Sequence, residues 1–170
     1  MLIGRILSQG VGHFDLQFIT SFASRIPENA GIKAALVGSL WLMSVVAPVS
    51  ILLGVSTAIY LEEYAKQNKL NDFIRMNISN LAGVPSIVFG LLGLTIFVRL
   101  FGFDKSILAA GLTMSLLILP VIIVASQEAI RAVPKEQREA SFGMGATKWQ
   151  TIVRVVLPAA IPGILTGSIL

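Results

Sequence analysis

The segment "REASFGMGATKWQTIVRVVLP", Arg138 to Pro158, interrupts long apolar runs with charged residues, two closely spaced glycines and a final Leu-Pro. Just before it, Pro134 suits the first turn of a helix, and Lys135–Phe142 contains good helix formers. Either Gly143 or Gly145 can adopt the left-handed conformation that ends such a helix. The segment therefore predicts a short helix followed by a glycine break.

A second helix is predicted directly after the glycines. Thr147, with Gln150 three residues later, forms a capping-box pattern that starts a helix over Lys148–Leu157. Without a partner, the break would expose Phe142 and Met144 to water, which is unfavourable for a mere connection. The pattern thus indicates two short helices that dock on a soluble partner; the alternative is a solvated amphipathic loop.

The composition places the chain among membrane proteins. Of its 170 residues, 55% are hydrophobic and only 13% are charged, about half the charged fraction of a soluble domain. The mean hydropathy is +0.82. The net charge of +4 fits loops that face an anionic cytoplasmic leaflet better than a nucleic-acid partner. With no cysteine, the sequence excludes disulfides and thiolate metal sites.

Four apolar runs contain no charged residue. A helix of about 20 residues suffices to cross a bilayer. The sequence predicts an all-α membrane protein, a polytopic transmembrane helix bundle, with three full spans and the beginning of a fourth. The spans are placed at about 34–61, 76–98, 106–127 and 155–170, with a charged loop at 128–154.

Proline and small residues inside the runs bear on packing. We expect Pro48, Pro85 and Pro120 to be tolerated, because neighbouring helices and hydroxyl groups can satisfy the freed carbonyls. The pairs Ser86/Gly90 and Gly111/Ser115, each four residues apart, would let helices approach closely. Small residues are also simply common in membrane spans, and that explanation stays open.

Charge asymmetry predicts the orientation. Eight of the thirteen Lys and Arg residues lie in 62–75 and 128–154, on one side if three spans alternate, so that side is predicted to be cytoplasmic. Residues 1–33, ending in "RIPENAG", are predicted to form an outer-face segment, either a surface loop or an interfacial helix. After the first span, "LEEYAKQNKLNDFIRMNISN" is amphipathic and predicts a helix along the inner membrane surface.

The segment from Arg138 to Pro158 resembles the cytoplasmic EAA loop of permease subunits in ATP-binding-cassette (ABC) importers. That pattern is Glu-Ala-Ala, three residues, Gly, nine residues, Ile, one residue, Leu-Pro. Ser141 replaces its second alanine and Val155 its isoleucine. The resemblance implies a coupling helix that docks in a cleft on a separate ATPase subunit. The docking residues it implies are Glu139, Ala140, Ser141, Gly143, Gly145, Leu157 and Pro158.

Further stretches narrow the resemblance. "AIYLEEYA", "NLAGVPSIVFGLLGL" and "LILPVIIVASQEAIRAVP" are similar to the PstA type of phosphate permease, which implies a type I ABC importer permease fold over 34–170. It also implies a cell (inner) membrane location, a homologous permease subunit, an ATPase dimer that uses ATP and Mg, and an extracytoplasmic phosphate-binding protein. This chain itself is then no enzyme and binds no cofactor or metal. Because members of the family are expected to have six spans, we expect this chain to be incomplete at both ends.

Candidate contacts with the substrate follow from the same resemblance. The three full charge-free runs contain no cation, so a phosphate site inside them would use backbone N–H groups at broken helices or hydroxyls. Packing and helix kinks are the alternative explanation for such residues, and interfacial anchoring is the alternative for arginines at the mouths. The candidates are Gly83, Pro85, Thr113, Ser115, Arg99 at the outer end and Arg138 at the inner end.

Two other function classes stay open. One is a permease for phosphonate, molybdate or another solute. The other is a shortened, non-transporting membrane scaffold or regulatory subunit. An enzyme is disfavoured, because "GMGATK" lacks the spacing of a phosphate-binding loop and the sequence shows no protease or hydrolase motif.

Overall fold

The computed structural model describes residues 4–5, 10, 16–26, 30–66 and 68–169. The chain divides into two units, Met1–Ser44 and Val45–Leu170. Within the described ranges every regular element is helical, as the apolar runs predict. The helices, numbered in chain order, are α1 (Leu16–Thr20), α2 (Lys33–Ile59), α3 (Lys69–Leu81), α4 (Ser86–Gly93), α5 (Ile107–Arg131), α6 (Lys135–Gly143), α7 (Lys148–Thr151) and α8 (Leu157–Ile169).

Among the described residues, three helical stretches contain a π-helical segment, a wider turn that is frequent at functional sites. Tyr60–Tyr64 extends α2, Leu94–Leu100 extends α4, and Ile152–Val156 joins α7 to α8. The last of these makes one helical stretch of Lys148–Ile169. The helix predicted to start at Lys148 therefore continues without interruption into the fourth apolar run.

The first unit contains α1 and the beginning of α2. After α1 the chain turns back, and the backbone N–H of Ile32 donates to the Phe18 carbonyl at 2.9 Å. The Lys33 ammonium lies 5.1 Å from the centre of the Phe22 ring. In the described part of 1–33, a short helix is thus followed by an irregular turn. The outer-face position of this segment stays a prediction. Residues 1–3, 6–9, 11–15 and 27–29 lie outside the described ranges.

The predicted span at 76–98 is not one continuous helix. The chain bends by 101° between Lys69–Leu81 and Ser86–Leu100. Pro85 stands at the start of α4, and a turn precedes it in which the Gly83 N–H donates to the Asn80 carbonyl at 3.0 Å. Proline cannot donate a backbone hydrogen bond and disfavours helical geometry in the residue before it. The expectation that a helix continues through Pro85 was therefore wrong.

Pro48 and Pro120, by contrast, lie inside α2 and α5, and both helices continue through them as predicted. Pro120 is buried in α5, which is packed against neighbours along much of its length. Pro48 and Pro85 are both exposed, so burial does not separate the tolerated proline from the break. The break at Pro85 instead follows the hydrogen-bonded turn at Gly83.

Helix α5 is the centre of the second unit, and small residues bring other helices close to it. A Cβ built on Gly54 of α2 would lie 2.6 Å from the Ile122 side chain. On α8, a Cβ on Gly163 would lie 2.8 Å from the Ala129 Cβ, and Gly167 lies against Ala125. The Gly163/Gly167 spacing of four is the small-residue pattern of close membrane helix pairs.

The contacts along α5 fix the helix directions. Gly111 near the start of α5 contacts Val45 of α2, and Arg131 at its end bonds Glu62 just after α2, so these helices are parallel. The chain between Glu62 and Ile107 must therefore return across the membrane. We infer that the bent α3–α4 pair makes one broken crossing and not a re-entrant loop, which gives four crossings in the described residues.

Candidate functional site

The loop predicted to dock forms a bent pair of helices, and we call residues 135–151, from α6 through α7, the elbow. Pro134 immediately precedes α6, and Gly145 has φ +83°, which selects it over Gly143 as the left-handed glycine. The Thr147 N–H donates to Gln150 Oε1 at 2.9 Å, and the Gln150 N–H donates to Thr147 Oγ1 at 3.3 Å. The predicted helix, glycine break and capping box are all confirmed.

The tip of the elbow exposes large apolar side chains. Met144 is 90% exposed, Trp149 63% and Phe142 48%. Beside them lies an open groove of about 610 Å³, lined in part by Ala140, Gly145 and Arg154. Apolar groups displayed on a charged loop outside the spans are typical of an interaction surface.

Several residues implied in docking are accessible on this surface. Glu139, Ala140, Gly143 and Gly145 are exposed on the elbow, and Pro158 is exposed in α8. Their docking role is a prediction that the geometry accommodates.

Two members of the set face inward instead. Leu157 is half-buried and packs on the core cluster formed by Ala58, Ile130, Val133, Val156, Ala160 and Ile164. Ser141 is half-buried, and its hydroxyl lies 2.9 Å from the buried hydroxyl of Thr151. Leu157 thus packs the start of α8 into the bundle, and Ser141 ties α6 to the chain after the glycine break.

A cluster of charges stands beside the elbow at the end of α2, centred on Glu62. Arg131 donates to both carboxylate oxygens of Glu62, from Nε to Oε2 at 2.9 Å and from Nη2 to Oε1 at 2.8 Å. Gln127 Nε2 donates to Oε1 at 3.0 Å, and Arg75 forms a further ion pair with the same oxygen. One carboxylate, 11% exposed at its side chain, therefore joins α2, α3 and α5.

The next two residues of the same π-helical segment contact the elbow. Glu63 pairs with Arg138 of α6, and Arg138 Nη2 also donates to the Ile130 carbonyl at 2.6 Å. The Lys148 ammonium at the start of α7 lies 5.0 Å from the centre of the Tyr64 ring. The elbow is thus held to the end of α2 by two separate side-chain contacts.

The six candidates for substrate contact are not gathered in one place. Thr113 of α5 lies against Gly93 of α4, but Thr113 and Ser115 donate their hydroxyls to the carbonyls of Ala109 and Gly111 in their own helix. Gly83 and Pro85 form the break before α4. A role of any of these residues in a pathway stays a prediction.

The two arginine candidates lie in different parts of the molecule. Arg99 is exposed near the end of the π-helical segment after α4. Arg138 is engaged with Glu63 and Ile130. Its contacts give Arg138 a bracing role, beside which an attraction of anions stays a prediction.

Sequence reasoning missed the importance of Glu62 and Glu63. Their partners are distant in the chain, with Arg131 sixty-nine and Arg138 seventy-five residues away. A signal was nevertheless present, because two adjacent carboxylates directly follow a long charge-free run, while Arg75 directly precedes the second apolar run and Arg131 follows the third. Charges at the ends of neighbouring spans are natural ion-pair partners.

Together these features define a polytopic helical membrane protein with an exposed helical elbow braced against one end of its bundle. Residues 50–170 match the model of the family described as "Binding-protein-dependent transport system inner membrane component". The chain belongs to this family, and the predicted type of fold is confirmed. It is a multi-pass inner-membrane protein, and the family consists of ABC transporter permeases, which are not themselves enzymes.

Named relatives are similar over most of the chain. It is 40% identical over 169 residues to the "Probable ABC transporter permease protein YqgI" of Bacillus subtilis, covering 99% of this chain and 58% of the relative. It is 42% identical over 147 residues to the "Phosphate transport system permease protein PstA 1" of Mycobacterium tuberculosis, covering 85% and 48%. The chain thus spans about half the length of these curated relatives, and the predicted similarity to PstA-type permeases is confirmed.

Proposed function

We propose that this chain is a transmembrane permease subunit of an ATP-driven inorganic phosphate importer. In this proposal it forms the translocation pathway with a homologous permease subunit. Its elbow docks on one subunit of a separate ATPase dimer, which uses ATP and Mg, and an extracytoplasmic binding protein delivers phosphate. The observation that carries the docking is the elbow itself, with exposed Phe142, Met144 and Trp149 on a loop that departs from the spans.

A charged substrate needs a protein pathway through the membrane. An anion such as phosphate cannot cross hydrocarbon unaided, because removing an isolated charge from water costs many kcal/mol. Alternating access avoids that cost by opening the bundle first outward and then inward. The ATPase supplies the closing motion, and the permease makes or breaks no covalent bond.

Docking is tested by ATPase capture. Gly145→Trp fills a strained left-handed position, and Glu139→Lys reverses an exposed charge on α6. Both variants are expected to reduce co-purification of the ATPase from native membranes. Lys105→Gln, exposed in the turn before α5, is the control and should co-purify the ATPase as the unaltered protein does. Normal capture by both elbow variants would contradict docking through the elbow.

The choice of phosphate rests on the names of relatives, among which YqgI is a probable ABC permease with no solute in its name. The test is uptake of radiolabelled phosphate by cells with and without this chain, in competition with unlabelled phosphate, phosphonate or molybdate. We expect only phosphate to compete strongly. Stronger competition by another anion would assign the permease to that anion, and uptake independent of the chain would favour a scaffold.

A further inference from the structure

The π-helical segment Tyr60–Tyr64, which we call the YLEEY joint, directs three consecutive side chains to three parts of the molecule. Glu62 binds Arg75 of α3 and Arg131 of α5. Glu63 binds Arg138 of α6, and the Tyr64 ring lies under Lys148 of α7. We propose that this joint transmits movement of the elbow to α2, an inference that rests on the proposed function. The Glu63–Arg138 ion pair is the strut, the contact that carries the displacement from the elbow to the joint.

Chain connectivity shows why α2 needs such a strut. The elbow lies between α5 and α8 in the chain, so both helices are attached to it covalently. Along the chain, helix α2 is connected to α5 only through α3 and α4. Movement of the elbow therefore reaches α2 through packing and side-chain contacts, among which Glu63–Arg138 is the ion pair that links α6 to the joint.

The two neighbouring glutamates have different tasks. Glu62 has three partners, Arg75, Gln127 and Arg131, all within the bundle, so it holds α2, α3 and α5 together. In the described part of the chain, Glu63 pairs with Arg138 alone. Glu62 is accordingly a brace inside the bundle, while Glu63 joins the bundle to the elbow.

Burial makes the Glu63–Arg138 pair suited to carrying a displacement. The side chains are 11% and 22% exposed, respectively, and Arg138 is held at the same time by the Ile130 carbonyl. Pulling the pair apart would leave two poorly hydrated charges without a counter-charge, which is strongly unfavourable. The elbow and the end of α2 should therefore move together. Glu63 and Arg138 are positioning residues, and nothing in their contacts requires them to touch the substrate.

The test measures coupling in the protein purified from native membranes with its ATPase and reconstituted in liposomes. The variants are Glu63→Gln, Arg138→Gln and the charge exchange Glu63→Arg with Arg138→Glu. Asp72→Asn removes one exposed acidic charge from α3 and is the matched control. Each sample is assayed for ATPase capture, ATP hydrolysis and phosphate transported per ATP hydrolysed.

We expect the Glu63→Gln and Arg138→Gln variants to capture the ATPase normally. The amount of phosphate transported per ATP hydrolysed should fall roughly 2- to 30-fold, which corresponds to the usual size of coupling free energies between distant sites. The charge exchange should recover part of that ratio, and Asp72→Asn should leave it unchanged. Recovery by exchange would separate a paired strut from two independent structural roles.

Two results would overturn the inference. An unchanged ratio in both single variants would show that the pair transmits nothing, and lost capture or membrane insertion would make it an assembly contact instead. Failure of the proposed function gives a different pattern, in which the unaltered protein captures no ATPase or transports no phosphate. The two failures are therefore distinguishable.

Discussion

At the scale of single residues, the carboxylate of Glu62 is accommodated at the end of an apolar span by several polar partners. Glu62 accepts hydrogen bonds from Arg131 and Gln127 and pairs with Arg75 at the end of the first span. A carboxylate with little access to water is stabilised only when such partners compensate its lost hydration. The cluster therefore specifies which ends of α2, α3 and α5 lie together.

Replacing Glu62 should consequently destabilise the bundle. Glu62→Gln keeps the shape but removes the charge facing two arginines, and we expect the free energy of unfolding to fall by about 2 kcal/mol. Asp72→Asn, on the exposed face of α3, should change it little. Denaturation of the detergent-solubilised protein measures both, and equal stability of the two variants would refute a bracing role for Glu62.

Gly145 is the residue on which the angle of the elbow depends. A side chain at its φ of +83° is strained, although the space around it is open. Gly145→Ala should destabilise the elbow by about 1 kcal/mol, seen as roughly fivefold faster amide hydrogen exchange in α6 and α7. Gly143→Ala is the matched control, since Gly143 is helical and equally open. Equal exchange in both variants would contradict this account of the break.

At the scale of elements, α5 acts as the axis on which the other helices pack. Gly163 and Gly167 of α8 sit against Ala129 and Ala125, so the two backbones approach closely. Membrane helices lack a hydrophobic drive to associate within lipid, and close packing of small residues supplies much of their attraction.

A large side chain at this contact should separate α5 from α8. Gly163→Leu places a side chain where even a Cβ lies 2.8 Å from Ala129, and we expect a loss of about 1–3 kcal/mol. Gly90→Leu makes the same exchange in α4, where a Cβ meets nothing within 4 Å. Thermal denaturation should find only the first variant destabilised, and similar midpoints would argue against close packing at Gly163.

Local signals in the sequence predicted some elements and not others. Pro134, the two glycines and the Thr147/Gln150 capping box are short-range features, and each sets local backbone geometry directly. A proline inside an apolar run was not such a signal, because the helix breaks at Pro85 but continues through Pro48 and Pro120. Similarly, Ser86/Gly90 matched the close-packing pattern, yet both residues are exposed.

At the scale of the whole molecule, the Glu62–Arg131 contact determines the topology. It places residues 62–75 and 128–154 at the same end of the bundle, in agreement with the eight of thirteen Lys and Arg residues that these two segments hold. Charge counting predicted that side from local composition, whereas the contacts between Glu62 or Glu63 and distant arginines required the folded chain. That difference explains why the elbow was predictable and the YLEEY joint was not.

The topology can be measured with single cysteines, since the chain contains none. Lys66→Cys and Lys135→Cys should react with a membrane-impermeant thiol reagent from the cytoplasmic side, and Lys105→Cys from the opposite side. All three lysines are exposed, which makes accessibility comparable. Labelling of positions 66 and 135 from opposite sides would mean that the α3–α4 pair does not cross the membrane.

The central claim, that the elbow is the surface gripped by an ATPase, is tested most directly by cross-linking in native membranes. Met144→Cys places a reactive group at the elbow tip, where the native side chain is 90% exposed. Ile87→Cys, at a position 71% exposed on α4, is the control on a span. The account predicts that a short thiol-linked photocross-linker at position 144, and not at 87, joins the chain to the ATPase. Absence of that product at 144, or an equal yield at 87, would contradict it.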